Sequence, residues 1–244
     1  MRTLYGLAQS PYTEKARWAL DHHAIAYRYH EHVPLLGELL LRVKARNRPR
    51  GTKASVPLLV DGLDVLPTSL AIARHADRIG RGASLFPQEQ LDAILRWAET
   101  SDRIIDIGRS AVVAGLRQSR EAQREALPTF IPGALRGALV PMTVAAALFL
   151  ASKHDVPRDA VAEAEKLRLL LDDVRRTLGG GSYLLAGLTF ADLAVAAALQ
   201  VLRPRKDAPL GPGTRAIWAH EGLAADYEDL LTWRDKLYRT HRRD

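Results

Sequence analysis

Early in the chain a serine and a proline stand together in the stretch Tyr5-Gly-Leu-Ala-Gln-Ser-Pro-Tyr-Thr-Glu-Lys-Ala-Arg17. Proline is favoured at the first position of a helix, where its missing N–H is not needed, so Ser10 reads as the N-cap of a helix that starts at Pro11. Its hydroxyl then stands beside unpaired amides and the positive end of the helix dipole. That chemistry suits an anion, or the holding of a thiolate. Two other hydroxyls lie near: Tyr5 at the end of the preceding strand and Tyr12 in the first helical turn. Further along, Thr68-Ser69 opens another helical stretch, where the Ser69 hydroxyl and the terminal amides suit a carboxylate.

Other groups that could do chemistry are better read as structural. Thr189-x-x-Asp192 is a capping-box variant, in which the Thr hydroxyl takes the N3 amide and Asp192 reaches back to the N-cap amide. His30 and His32 would share one strand face, but a pair without a third ligand is a weak metal site, and no metal is expected. No cysteine occurs, which excludes disulfides, thiolate metal sites and any mechanism with an enzyme-borne thiol.

The elements that must position these groups follow from periodicity. Arg2–Leu7 reads as a strand and Pro11–His23 as a helix with Tyr12, Ala16, Ala19 and Leu20 on one face. Ile25–Val33 alternates as a half-exposed strand at a sheet edge, and Leu35–Arg46 is helical. After a basic loop at Asn47–Lys53, two short strands, Val56–Val60 and Leu63–Leu66, flank an Asp61-Gly62 hairpin turn. Ser69–Ile79 is a further helix. The order is βαβαββα, which requires a sheet mixing parallel and antiparallel pairs. Residues 1–80 are thus expected to form one α/β domain, 81–87 a linker and 88–244 an all-α domain. In that domain Gln88–Leu116 is helical, Glu121–Ser152 is helical with breaks at Pro128, Pro132 and Pro141, and Gly137–Ala151 reads as a buried helix. Ala160, Ala164, Leu167, Leu171, Val174 and Leu178 mark one buried stripe, and Thr189–Leu202 is apolar almost all round.

The 244 residues, 47% of them hydrophobic, suffice for a substantial core. The formal charge of +7 permits anionic ligands. Most cations are interspersed with carboxylates along helices, and neither Arg42–Lys53 nor Arg203–Lys206 has the interleaved aromatics of a nucleic-acid surface. No secretory signal or bilayer-length apolar run is read. A soluble, cytoplasmic protein is expected, with neither nucleic acid nor membrane as partner.

Four motifs in order resemble the soluble glutathione S-transferase superfamily. Ser10-Pro11-Tyr12-x-x-Lys15-Ala-Arg17 looks like the Ser-Pro-x-x-x-Lys-x-Arg signature of bacterial, Ser-type members. Ser55-Val56-Pro57-Leu58-Leu59-Val60-Asp61-Gly62 resembles the family's Val-Pro strand with its cis proline, and Thr68-Ser69 stands where Glu-Ser or Gln-Ser is usual. Tyr183-Leu-Leu-Ala-Gly187-Leu-Thr-Phe-Ala-Asp192 resembles the late capping motif. The resemblance implies an α/β thioredoxin-like domain followed by an all-α helical bundle, in a symmetric dimer. It implies glutathione as co-substrate, conjugated to small hydrophobic electrophiles in a cleft between the domains. Ser10 would activate the thiol, with Tyr5 and Tyr12 as the other candidates. Val56, beside Pro57, would pair with the cysteinyl backbone, Thr68 and Ser69 would meet the γ-glutamyl group, and Lys53 the glycyl carboxylate. Ser101, Ile104, Ile105 and Gly108 would line the electrophile pocket. A peroxidase or dehalogenase would use much the same site. The alternative from another class is a non-catalytic binding or assembly module, motivated by Thr68, which lacks the longer side chain expected there, and by the poorly matching region Arg117–Arg158.

Overall fold

The computed structural model describes the backbone of residues 2–33, 37–48, 50–127, 132–153 and 160–242, with some side chains among 133–161 outside the description. The parts of the sequence expectations that fall on Leu35, Pro49 and Pro128 lie outside the described residues. Two compact units are present: Met1–Asp102 with Leu178–Ala198 and Trp233–Asp244, and Arg103–Thr177 with Leu199–Thr232.

The first unit begins with β1 (Thr3–Gly6), α1 (Pro11–His22), β2 (Arg28–Glu31), α2 (Glu38–Lys44), β3 (Leu58–Asp61), β4 (Asp64–Leu66) and α3 (Ser69–Ile79), in the expected order. The sheet runs β2-β1-β3-β4, parallel between β1 and β2 and antiparallel elsewhere, with β2 at an edge as its alternation required. Successive residues of a strand face opposite sides, and both faces are used. Leu4 and Leu59 pack with Ala16, Leu20, Ile72 and Ala76 of α1 and α3. Tyr5 and Leu58 turn to the other face, against Leu41 of α2 and Ala45. The hairpin pairs Asp61 with Asp64, so its two-residue turn is Gly62-Leu63 rather than Asp61-Gly62, with Gly62 at φ 62°. A positive φ there is the reason for glycine. Asp61 holds Arg2 at 2.6 Å and His75 at 3.0 Å. Burial pushes its carboxyl up, but these two partners outweigh burial and hold it below the usual range.

Helix α4 (Leu91–Gln118) is followed by α5 (Arg120–Glu125), α6 (Gly133–Lys153), α7 (Ala160–Leu178), α8 (Phe190–Ala198), α9 (Pro212–Trp218), α10 (Glu221–Asp226) and α11 (Glu228–His241). Every residue from Phe190 to Ala198 is buried, and α1 packs against both α3 and α8. Trp18 of α1 also meets Tyr238 with ring centroids 4.3 Å apart, and Arg242 pairs with Glu14 at 2.8 Å and Asp21 at 2.7 Å.

Asp192 is fully buried and accepts from the amides of Leu184 (2.8 Å) and Thr189 (2.9 Å) and from the Thr189 hydroxyl (3.1 Å). The reach back to the Thr189 amide is as the capping box required. The Thr189 hydroxyl departs from it, donating to the carboxylate instead of taking an amide. Burial pushes the Asp192 carboxyl up, and these donors offset only part of that. Asp192→Ala strands two buried amides, so unfolding free energy should fall by about 3 kcal/mol in denaturant titration. An unchanged midpoint would deny this carboxylate its structural role.

In the second unit three expectations are corrected. Helix α6 runs through Pro141 without interruption, and Gly137–Ala151 is not a buried helix: Gly137, Ala138, Met142, Ala145 and Leu148 are exposed, while Thr143 and Ala147 are buried. On α7 Ala164 is exposed, and the stripe is Glu163, Leu167, Leu170, Leu171, Val174 and Leu178. Glu163 joins it with its charge matched by Lys166 at 2.7 Å. The Glu125 carboxylate caps α9, accepting from Gly213 (3.0 Å) and Thr214 (2.7 Å). Among the described residues no helix is long and apolar enough to cross a membrane, and no three metal-ligating side chains come together.

Candidate functional site

The turn from β1 into α1 is fixed by short-range bonds. The Ser10 amide donates to the Leu7 carbonyl (2.9 Å), and the Ser10 carbonyl accepts from the Glu14 amide (3.0 Å). The Leu7 amide donates to the Thr13 hydroxyl (3.1 Å), which is fully buried. Glycine at position 6 allows this closure, since a Cβ there would come within 2.5 Å of Thr13 Cγ2. Ser10 is the N-cap by its backbone, at φ −79° and ψ 126°, with Pro11 in the first turn. Its hydroxyl, however, makes no capping hydrogen bond. The expected cap is present in the main chain and absent in the side chain.

The strand ladders bring distant segments to this end of the sheet. Tyr5 pairs with Leu58 and Leu59 with Leu66. Because β3 runs antiparallel to β1, and β4 to β3, the segments that follow β1, precede β3 and follow β4 all lie at this end of the sheet. The Val56–Pro57 bond is cis, as the resemblance implied. Thr68, not Ser69, is the N-cap of α3: its hydroxyl accepts from the Ala71 amide at 3.1 Å. Ser69 is the first helical residue and is buried, whereas Lys53 is exposed. Ser10, Val56, Pro57, Thr68 and Ser69 therefore gather at one end of the sheet, where the amides of α1 and α3 begin.

The other expected residues are placed differently. Tyr5 is buried on the α2 face of the sheet, its ring 5.1 Å from that of His30, and so is part of the core. Tyr12 is half-buried and donates to the Asp102 carbonyl at 3.3 Å. Ser101 is fully buried, accepting from Lys15 Nζ at 2.7 Å and donating to the Ala98 carbonyl at 2.5 Å. Ile104 and Ile105 are buried, and Gly108 lies so close to Val201 that a Cβ would come within 2.4 Å of its Cβ. His32, also buried, stands 3.4 Å from Glu38.

Lys15 received no role from its sequence motif, yet it is the most buried cation near the turn, 1% exposed. Its ammonium meets Asp102 Oδ1 at 2.7 Å as well as Ser101, and lies 5.0 Å from the centre of the Tyr12 ring. The signal was present: Lys15 falls between Tyr12 and Ala19 at helical spacing, inside the apolar stripe of α1.

A βαβαββα domain with a mixed sheet, a cis proline opening β3 and helix N-termini gathered at one end of the sheet defines a thioredoxin-like domain, here followed by a largely helical region. Residues 4–83 match the family of glutathione S-transferase N-terminal domains. The match covers that domain alone, which is thus similar to the N-terminal domains of glutathione S-transferases. Solved structures extend the likeness of fold to almost the full length. A glutathione S-transferase from Methylobacillus flagellatus with glutathione bound is similar over 98% of this chain and 95% of its own, at 18% identity and TM-score 0.64. One from Xanthobacter autotrophicus covers 98% and 93%, at 17% identity and TM-score 0.59. Another, from Methylobacterium radiotolerans in complex with glutathione sulfonate, covers 97% and 90%, at 18% identity and TM-score 0.55. No curated protein matches the sequence.

Proposed function

We propose that the chain binds glutathione at the end of the sheet marked by Ser10, Val56 and Ser69 and transfers its thiolate to small hydrophobic electrophiles. The observation that carries this reading is the Ser10 hydroxyl, placed at the N-terminus of a 12-residue helix and not spent on capping it. A hydroxyl so placed can donate to a thiolate that the helix dipole also favours. The Val56 backbone would pair with the cysteinyl peptide of the ligand, and Ser69 with the first-turn amides of α3 would take the γ-glutamyl carboxylate. Lys53 would meet the glycyl carboxylate. The thiol comes with the ligand, which agrees with a chain that has no cysteine.

In the same reading residues 1–80 are the glutathione-binding domain, 81–87 the linker and 88–244 the helical domain, in a homodimer of the cytoplasm. The binding half is tested by calorimetry with glutathione and with its S-alkyl conjugates. Saturable heat is expected, reduced at least about tenfold in affinity by Ser69→Ala, because a charge-assisted bond supplies about 1.5–3 kcal/mol. One observation favours the second reading, a non-catalytic module: the Thr68 hydroxyl is already engaged with Ala71. Absence of heat with glutathione, together with absence of turnover, would decide for the module.

A further inference from the structure

Helix α2 turns an unusual face outward. Leu41 is buried against the sheet, as is Ala45 just after the helix. At 100° per residue, Leu39, Val43 and Leu40 fall on the opposite arc, with Arg42 on one flank and Lys44 on the other. Those apolar side chains are exposed to 75%, 53% and 42%. The chain then adds Arg46, Arg48, Arg50 and Lys53 with no carboxylate among them. Arg48 donates to the carbonyls of Ala45 (3.0 Å) and Thr52 (2.6 Å) and so folds the loop against the end of the helix. Arg42, Lys44, Arg46 and Arg50 are exposed and form no ion pair with a described residue. The acidic residue of the helix, Glu38, is turned away toward His32 at 3.4 Å.

From this arrangement we propose that the α2 face and the loop after it attach the protein to the surface of a bilayer carrying anionic headgroups. An apolar ridge flanked by long cationic stems suits the headgroup boundary: the ridge enters the acyl edge while Arg42 and Lys44 reach the phosphates. The helix is short, about 10 Å, and lies flat, in keeping with the ~5–10 Å depth of interfacial attachment. A protein partner fits less well, since a stable interface takes about 800 Å² from each side and three side chains offer a few hundred. The expectation of no membrane partner rested on spanning segments and left surface attachment unweighed. Lys53 apart, which the glutathione reading assigns to the glycyl carboxylate, the proposal stands on surface residues that reading does not use.

The test is co-sedimentation of the full chain with vesicles of phosphatidylcholine alone and of equal parts phosphatidylcholine and phosphatidylglycerol. Binding is expected to the mixed vesicles, not to phosphatidylcholine, and should weaken as salt is raised. The double variant Arg42→Glu/Lys44→Glu should bind at least about 25-fold more weakly, each cation being worth roughly fivefold near an anionic surface. Leu39→Ser/Val43→Ser, which keeps every charge, should also lose most of the binding. Thermal unfolding at the wild-type temperature establishes that each variant is folded, as exposed positions allow. No binding to mixed vesicles, or binding that survives both variants, overturns the proposal. So does a protein that ignores vesicles, or tolerates Leu39→Ser/Val43→Ser, but binds polyglutamate or duplex DNA through Arg42 and Lys44, for the face would then serve a polyanion.

Discussion

Ser10→Ala should leave the protein folded and lower its turnover of glutathione with a chloro-dinitrobenzene-type electrophile by about ten- to a hundredfold near neutral pH. The size follows from what the hydroxyl would supply. A free thiol titrates near ~8.5, and lowering it by ~2 units needs about 2.7 kcal/mol of preference for the thiolate. A charge-assisted hydrogen bond gives ~1.5–3 kcal/mol and the helix terminus ~0.3–1 kcal/mol. Removing the hydroxyl leaves the dipole and takes the larger share. The acid limb of the pH–rate profile should therefore move up by one to two units, with the KM for glutathione little changed. The fold should be indifferent, because the Ser10 hydroxyl makes no capping bond. Thr68→Ala offers the contrast, since it removes a cap bond of 3.1 Å and should reduce stability by about 1 kcal/mol. Tyr5→Phe should leave turnover intact, its ring being packed among Leu41, Ala45 and Leu58. Loss of turnover in Tyr5→Phe with none in Ser10→Ala would reassign the activating group.

Where local chemistry decides, the sequence could be read residue by residue. Pro11 at the first helical position placed the start of α1, and Ser69–Ile79 is a helix with the bounds its periodicity gave. The alternation of Ile25–Val33 pointed to an edge strand, and β2 is one. What eluded the sequence depends on neighbours supplied by the fold. Thr68 and Ser69 are adjacent hydroxyl residues at one helix start, and only the backbone decides that Thr68 caps while Ser69 begins the helix. Gly137–Ala151 was expected to be buried because it is apolar, yet apolar residues are also common at surfaces, and exposure depends on what packs beside a helix. Ser101, Ile104, Ile105 and Gly108 occupy one face of α4, as spacing required, but spacing cannot tell a pocket lining from packed core. The candidate site was legible in its residue types, whose helix caps and strand register are local. The engagement of Lys15 was not, because its partners lie 86 and 87 residues away.

That ion pair sets up an expected change in stability that depends on which partner is removed. Lys15 is 1% exposed at its side chain, whereas that of its partner Asp102 is 49% exposed. The two ends of the bond are therefore not equivalent. Lys15→Met removes the buried charge and fills most of its volume with an unbranched apolar chain; Asp102 is left with water at hand, and Ser101 keeps its bond to the Ala98 carbonyl. A buried ion replaced by an apolar side chain of similar size often changes stability little, so Lys15→Met should fall within about 1 kcal/mol of the parent. Asp102→Ala does the opposite. It removes the carboxylate that meets the buried Lys15 ammonium at 2.7 Å, while the neutral Ser101 hydroxyl stays in place. Breaking a buried pair in this way costs about 3–5 kcal/mol, and the exposure of Asp102 argues for the lower end of that range. Tyr12 should not contribute to the difference, because it donates to the Asp102 carbonyl, which the substitution keeps. Denaturant unfolding of the two single variants and of the double variant measures the asymmetry. If Lys15 is the burden, Lys15→Met should restore most of what Asp102→Ala loses. Equal losses in both single variants would mean that the pair acts as an ordinary surface bridge, and that apolar packing and the Tyr12 hydrogen bond to the Asp102 carbonyl hold α1 to α4.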